Sequence, residues 1–191
     1  MIIGAILAQS VAWSNVKQAV DTLKTNDALD PVNLYTMPVD DLANLIRPSG
    51  YFNVKARKVK AFLDLLKEYE FDLDALFSDS LKDLRECLLS VKGIGPETAD
   101  SIILYAAYKP IFVVDAYTKR LMHRLGFSQN EASYEELRTL FEAHLPHEVV
   151  LFQDYHALVV HHGNSTCRKR PVCTDCPLFN ICNFSQTPSG F

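Results

Sequence analysis

The sequence predicts an all-α protein. Apolar residues recur at helical spacing through most of the 191 residues, and strand signals are nearly absent. The β-branched run Ile111-Phe112-Val113-Val114 is too short and isolated to build a sheet. Hydrophobic residues make up 48% of the chain, enough for an ordinary buried core.

Taken in order, the first helix is expected over 2–10. Ile2, Ile3, Ile6 and Leu7 take up helical spacing from the start with no N-cap before them, which points to an element beginning upstream of Met1. Helices follow over 14–25, with Ser14 as cap, and over 38–46, with Asp40 and Asp41 in the first turn. Further helices are expected over 54–69, 79–91, 97–108, 116–125, 133–143 and 148–162. Lys109-Pro110 stops one helix and marks a crossover, giving units 1–109 and 110–191. No repeat of solenoid length and no apolar run of transmembrane length occurs. The start lacks the basic n-region and cleavage site of a signal peptide, so a cytoplasmic location is expected, nucleoid-associated in a prokaryote. A net charge of −4 argues mildly against a nucleic-acid partner, although a local basic face can still bind phosphate.

VKGIGPETAD, residues 91–100, reads as helix, tight turn, helix. Gly93 supplies a left-handed residue after the first helix, and Gly95 caps the second with Pro96 at its first position. One reading is a helical hairpin with well-chosen caps. The other is an anion site, because glycines let backbone amides approach a phosphate at a helix N-terminus. Asp115 follows Glu97 by eighteen residues, at the end of the apolar run. It reads as an N-cap, as a carboxylate facing a cleft, or as both.

Of five cysteines, Cys87 lies among Leu84, Leu88 and Leu89 and reads as packing. Cys167, Cys173, Cys176 and Cys182 form C-x5-C-x2-C-x5-C, which implies a metal centre. Spacing alone leaves Zn²⁺ and a [4Fe–4S] cluster both open. His161 and His162, just before it, read as structural or interfacial.

Together V-K-G-I-G-P-E-T-A-D (91–100), V-V-D-A-Y-x-x-R (113–120) and the cysteines resemble the endonuclease III family of DNA glycosylases, in that family's order. The resemblance implies a helix-hairpin-helix glycosylase fold: a six-helix domain with the hairpin, and a second domain with the cluster and the catalytic aspartate. Family members carry a further N-terminal helix that is missing here. The implied chemistry is excision of a damaged base flipped out of double-stranded DNA by a monomeric enzyme, with Asp115 as catalytic carboxylate and a [4Fe–4S] cluster on the four cysteines. Bifunctional members carry a lysine where this sequence has Glu97; a carboxylate forms no Schiff base, so a monofunctional glycosylase is expected.

Glu97 with Asp115 also resembles the branch that removes 3-methyladenine, which implies a catalytic role for Glu97 and base-pocket roles for Trp13 and Tyr117. Trp13 reads equally as a core aromatic. The resemblance further implies DNA contacts by Gln9, Tyr51, Lys92, Gly93, Ile94, Gly95 and Arg120, with Gln9 and Tyr51 filling the gap left by the flipped base. Lys55, Arg57, Lys58 and Lys60 add charge near Tyr51, and Arg168-Lys169-Arg170 add it between two cysteines. Competing expectations are a glycosylase/lyase for oxidised pyrimidines or for deaminated or mispaired bases, and a non-catalytic DNA-binding module.

Overall fold

The computed structural model describes residues 1–187, and among these every regular element is a helix, with no strand. It divides into two compact units, Met1–Ala107 and Tyr108–Phe191.

The first unit holds α1 (Ile2–Leu7), α2 (Trp13–Thr25), α3 (Pro31–Thr36), α4 (Val39–Leu45), a 3-10 turn (Arg47–Ser49), α5 (Phe52–Glu68), α6 (Leu73–Ser78), α7 (Leu81–Ser90) and α8 (Pro96–Tyr105). Its spine is α5. Ala56, Val59, Phe62, Leu63 and Leu66 recur at helical spacing on its buried face, against α1, α3 and α4. Two details differ from expectation. Ala12, not Ser14, caps α2, and Ser14 falls inside the first turn. The six-residue helices α3 and α6 are too short to show a period. Their caps do announce them: Asp30 accepts from the Asn33 amide with Pro31 at the first position, and Asp72 accepts from the Asp74 and Ala75 amides.

The basic stretch on α5 is a larger correction. Of Lys55, Arg57, Lys58 and Lys60, only Arg57 is exposed. Lys55 is buried, and its ammonium donates to the carbonyls of Leu7 (2.8 Å) and Ser49 (2.6 Å), at the ends of α1 and the 3-10 turn. Burial, and then the charge of Lys58, hold its amine below the usual lysine range. Lys60 donates to the carbonyls of Leu34, Tyr35 and Met37 at the end of α3. Helix ends leave carbonyls without intrahelical partners, and these lysines satisfy them from a neighbouring helix. They are braces, not a phosphate-binding face.

In the first unit α7 and α8 form the hairpin. Between them Asp100 is fully buried and takes a forked ion pair from Arg85, Nε to Oδ1 at 2.7 Å and a terminal nitrogen to Oδ2 at 3.2 Å.

The second unit begins with an extended, wholly buried run, Ile111–Val114, followed by α9 (Ala116–Leu125), α10 (Tyr134–His144), α11 (Val149–Ser165) and two 3-10 turns (Phe179–Ile181 and Phe184–Gln186). With no strand partner, the run is tied down by side chains. The Phe112 amide donates to Glu142 (3.0 Å), which is itself paired with Arg138 (2.6 Å). The Phe112 ring stacks on Phe141 at 3.9 Å between centroids and meets Phe152 edge-on. The next helix, α9, ends at left-handed Gly126 (φ +89°), with the Gly126 and Phe127 amides returning to His123 and Met122.

Replacing Asp100 by Ala strands the Arg85 guanidinium between the hairpin helices. The expected loss, read by chemical denaturation, is about 3–5 kcal/mol, whereas the double change R85M/D100L stays near the parent.

Candidate active site

The hairpin turn is built on one glycine with two reasons to be glycine. Gly93 has φ +93°, and a Cβ there would lie 2.7 Å from the Lys58 side chain. Lys58 lies across the turn and donates to Gln9 Oε1, while Gln9 Nε2 donates to Gly93 O (3.2 Å) and Thr98 Oγ1 (3.0 Å). Gln9 is thus brought onto the hairpin, and this network occupies the side chain expected to fill a gap in DNA. Gly95 differs. Its backbone is ordinary extended (φ −99°, ψ 179°), and nothing in the protein lies within 4 Å of where its Cβ would stand. No internal packing demands glycine there, and its missing side chain leaves open space beside the N-terminus of α8.

Lys92 and Gly93 are exposed on the turn, but Ile94 is not. Ile94 is buried and its amide donates to Val91 O (3.0 Å), so it anchors the turn. Glu97 is exposed in the first turn of α8, where its charge suits the helix N-terminus. Two aromatics stand out from the first unit. Trp13, at the first position of α2, is 63% exposed, which rules out the core reading; the edge of its ring reaches toward Gly4 of α1. Tyr51 is 76% exposed and sits in the left-handed region (φ 46°) just before α5. A bulky residue held at positive φ with its ring in solvent is a costly arrangement for packing alone.

In the second unit, Asp115 caps α9 and is nearly buried. Its Oδ1 accepts from the Thr118 amide (2.7 Å) and hydroxyl (2.9 Å), and its Oδ2 lies 3.6 Å from His156 Nε2 on α11. Burial pushes this carboxyl upward, but the adjacent His156 imidazole, the Thr118 amide and the Thr118 hydroxyl outweigh it and hold Asp115 below the usual carboxylate range. The result is a carboxylate kept ionised in an environment that disfavours charge. His156 is a site residue that the sequence reading missed. Its signal was a polar residue on the stripe Phe152, His156, Val159, Gly163, which otherwise faces the core of the unit.

Two other expected site residues have partners inside the second unit. Tyr117 is half-buried. Its ring lies where a side chain on Gly163 would stand (2.5 Å to a Cβ), and its hydroxyl donates to Asn164 (2.7 Å), so it wedges α9 against α11. Arg120 is held by the end of α11. It donates to Cys167 O (2.9 Å) and Gly163 O (3.0 Å), satisfying carbonyls at and just beyond the end of α11, and lies over the Tyr117 ring.

Cys167, Cys173, Cys176 and Cys182 are free thiols that line one small cavity with Arg124, His162 and an apolar shell including Leu121, Leu178 and Phe184. Burial, and then the charges of the other three cysteines, push the Cys173 thiol up against the pull of Arg124. Arg124 donates to Cys167 Sγ (3.2 Å) and to the carbonyls of Arg168 (2.7 Å) and Lys169 (3.1 Å), and its own carbonyl accepts from Cys182 Sγ (3.3 Å). Among the described residues, no three His, Cys, Asp or Glu side chains are arranged to hold a single metal ion. Cys87 lies apart from these thiols, half-buried beside the Tyr69 hydroxyl (3.8 Å).

Residues 3–147 match the family described as HhH-GPD superfamily base excision DNA repair protein, and the chain belongs to that family. An inferred DNA repair glycosylase of Methanocaldococcus jannaschii is 41% identical over 185 residues, covering 95% of this chain and 84% of its own length. A trapped endonuclease III–DNA covalent intermediate shares the fold, with a TM-score of 0.83 at 23% identity, over 96% of this chain and 82% of the other. The Helicobacter pylori 3-methyladenine DNA glycosylase bound to 1,N6-ethenoadenine gives a TM-score of 0.74 at 26% identity, over 85% and 83%. The protein is thus an endonuclease III-like DNA glycosylase of base excision repair. Among the described residues, no helix is long and apolar enough to cross a membrane.

The depressed Asp115 value has a signed consequence for stability. Its contribution is present in full above the ordinary value of 3.8 and is lost as pH falls through the lower folded value. Asp115→Asn keeps a capping side chain but does not titrate. Denaturation midpoints between pH 5 and pH 2 are therefore expected to fall less steeply for the variant than for the parent.

Proposed function

We propose that the chain is a monofunctional glycosylase that hydrolyses the N-glycosidic bond of an alkylated purine such as 3-methyladenine in double-stranded DNA. The observation that carries this reading is Asp115: a nearly buried carboxylate, held ionised, in a family that excises bases. The C1′–N bond breaks and its electron pair leaves with the base. An N-alkylated purine departs as a neutral molecule and needs little acid catalysis. Positive charge left on the sugar is stabilised by the Asp115 carboxylate. Water then adds at C1′ and gives up its proton to that carboxylate or to solvent.

Glu97 supports hydrolysis over lyase chemistry, since it stands where a bifunctional enzyme would need an amine and cannot form a Schiff base. The exposed rings of Trp13 and Tyr51 suit stacking on an electron-poor base or into a gapped duplex, and the alkylated purine rests on the resemblance of Glu97 with Asp115 to the 3-methyladenine branch. The open space beside Gly95 suits close approach of a phosphate to the exposed turn at Lys92 and Gly93.

The four cysteines suit a [4Fe–4S] cluster, with zinc the alternative that their spacing also allows. Four thiols share one cavity, and the family resemblance of their spacing supports the cluster. Cys167, Cys173, Cys176 and Cys182 would hold the cluster, which, when bound, cross-links the loop after α11. Arg124 supplies a hydrogen bond to one ligand and orders the backbone beneath Arg168 and Lys169.

A panel of methylated, thymine-glycol and mispaired duplexes tests the reading. Release of 3-methyladenine is expected, with Asp115→Asn about 10²- to 10³-fold slower and its affinity for abasic DNA kept within about threefold. Release of thymine glycol alone overturns the substrate assignment. No release from any duplex makes this a binding module.

A further inference from the structure

The two oxygens of Asp115 are held by different parts of the second unit. Oδ1 is fixed within its own helix by Thr118, through both amide and hydroxyl. Oδ2 faces the imidazole of His156, which comes from α11 and is only 16% exposed. At 3.6 Å the contact is longer than a hydrogen bond, and a small rotation closes it. With Oδ1 anchored, the carboxylate keeps one freedom, a pivot that swings Oδ2. His156 stands against that swing.

We propose that His156 is a positioning residue that fixes the second oxygen of Asp115, so that the carboxylate plane is set before the sugar charge develops. This rests on the reading of Asp115 as the charge-stabilising group. His156 does not cap the helix and touches no substrate in this account. Thr118 keeps the cap when His156 is changed, so the fold survives the substitution. A carboxylate free to pivot spends part of its time misdirected, and misplacement by about 1 Å costs up to about 10²-fold in rate.

The test compares His156→Phe, which fills the space without a donor, with His156→Gln, which returns an amide N–H near the position of Nε2. Single-turnover base release is expected to fall about 10- to 100-fold in H156F, with affinity for abasic-site DNA unchanged within about threefold, and to recover at least about threefold of that loss in H156Q. An unchanged rate in H156F overturns the proposal. So does a rate loss matched by lost affinity, or a glutamine variant no better than phenylalanine. A ¹³C resonance from the Asp115 carboxyl reads the contact without catalysis. It is expected to move in H156F and to stay near the parent position in H156Q, and no movement in H156F also overturns the proposal. If the parent protein releases no base from any lesion, the catalytic reading fails on its own, and the resonance alone then decides the contact.

Discussion

A carboxylate that must stay charged while nearly buried is the constraint on which the rest of this structure depends. Burial alone would push the Asp115 carboxyl above its usual range. The protein opposes it with the positive end of α9, two hydrogen bonds from Thr118 and the His156 imidazole. Each requires the chain to arrive at the cap in one conformation. The buried run Ile111–Val114 provides that approach, pinned by the Phe112–Phe141 stack and by Glu142 on the Phe112 amide. The packing of α9 on α11, wedged by Tyr117 into the space at Gly163, then brings His156 to the carboxylate. In the proposed function, stability and chemistry use the same cap.

The first unit solves a related problem with lysines. Short helices end in unpaired carbonyls, and Lys55 and Lys60 close them from α5. Lys58 instead reaches the Gln9 side chain over the Gly93 turn, joining α1's following loop to the hairpin. Arg85 and Asp100 join the two hairpin helices. The turn is therefore braced from beneath, while Lys92 and Gly95 remain open on its outer side.

The long helices, the hairpin, the Asp115 cap and the spacing of the cysteines were all legible in the sequence. Their signals are local: a 3.6-residue period, glycine at a turn, an acid before a helix, thiols a few residues apart. The short helices α3 and α6 escaped because six residues hold less than two periods, although Asp30-Pro31 and Asp72 marked their starts. The direction of a charged side chain was not legible. Lys55, Lys60, Arg120 and Arg124 look like solvent-facing cations until tertiary packing supplies carbonyls and a sulfur for them to meet. Tyr117 and His156 were hidden for the same reason. Their partners lie 47 and 41 residues away in the chain, at Asn164 and Asp115 respectively. Trp13 and Tyr51 went the other way, and their exposure removes the core reading that sequence left open for the tryptophan.

The central claim is that an ionised aspartate and water suffice for base release where the hairpin offers Glu97 in place of an amine. The most direct test is borohydride reduction during reaction with methylated duplex DNA, followed by denaturing electrophoresis. The account predicts free base and an intact abasic strand, with no protein–DNA band resistant to denaturation. A covalent adduct formed in proportion to base release would contradict it, because only an amine attacking C1′ leaves a linkage that borohydride can fix.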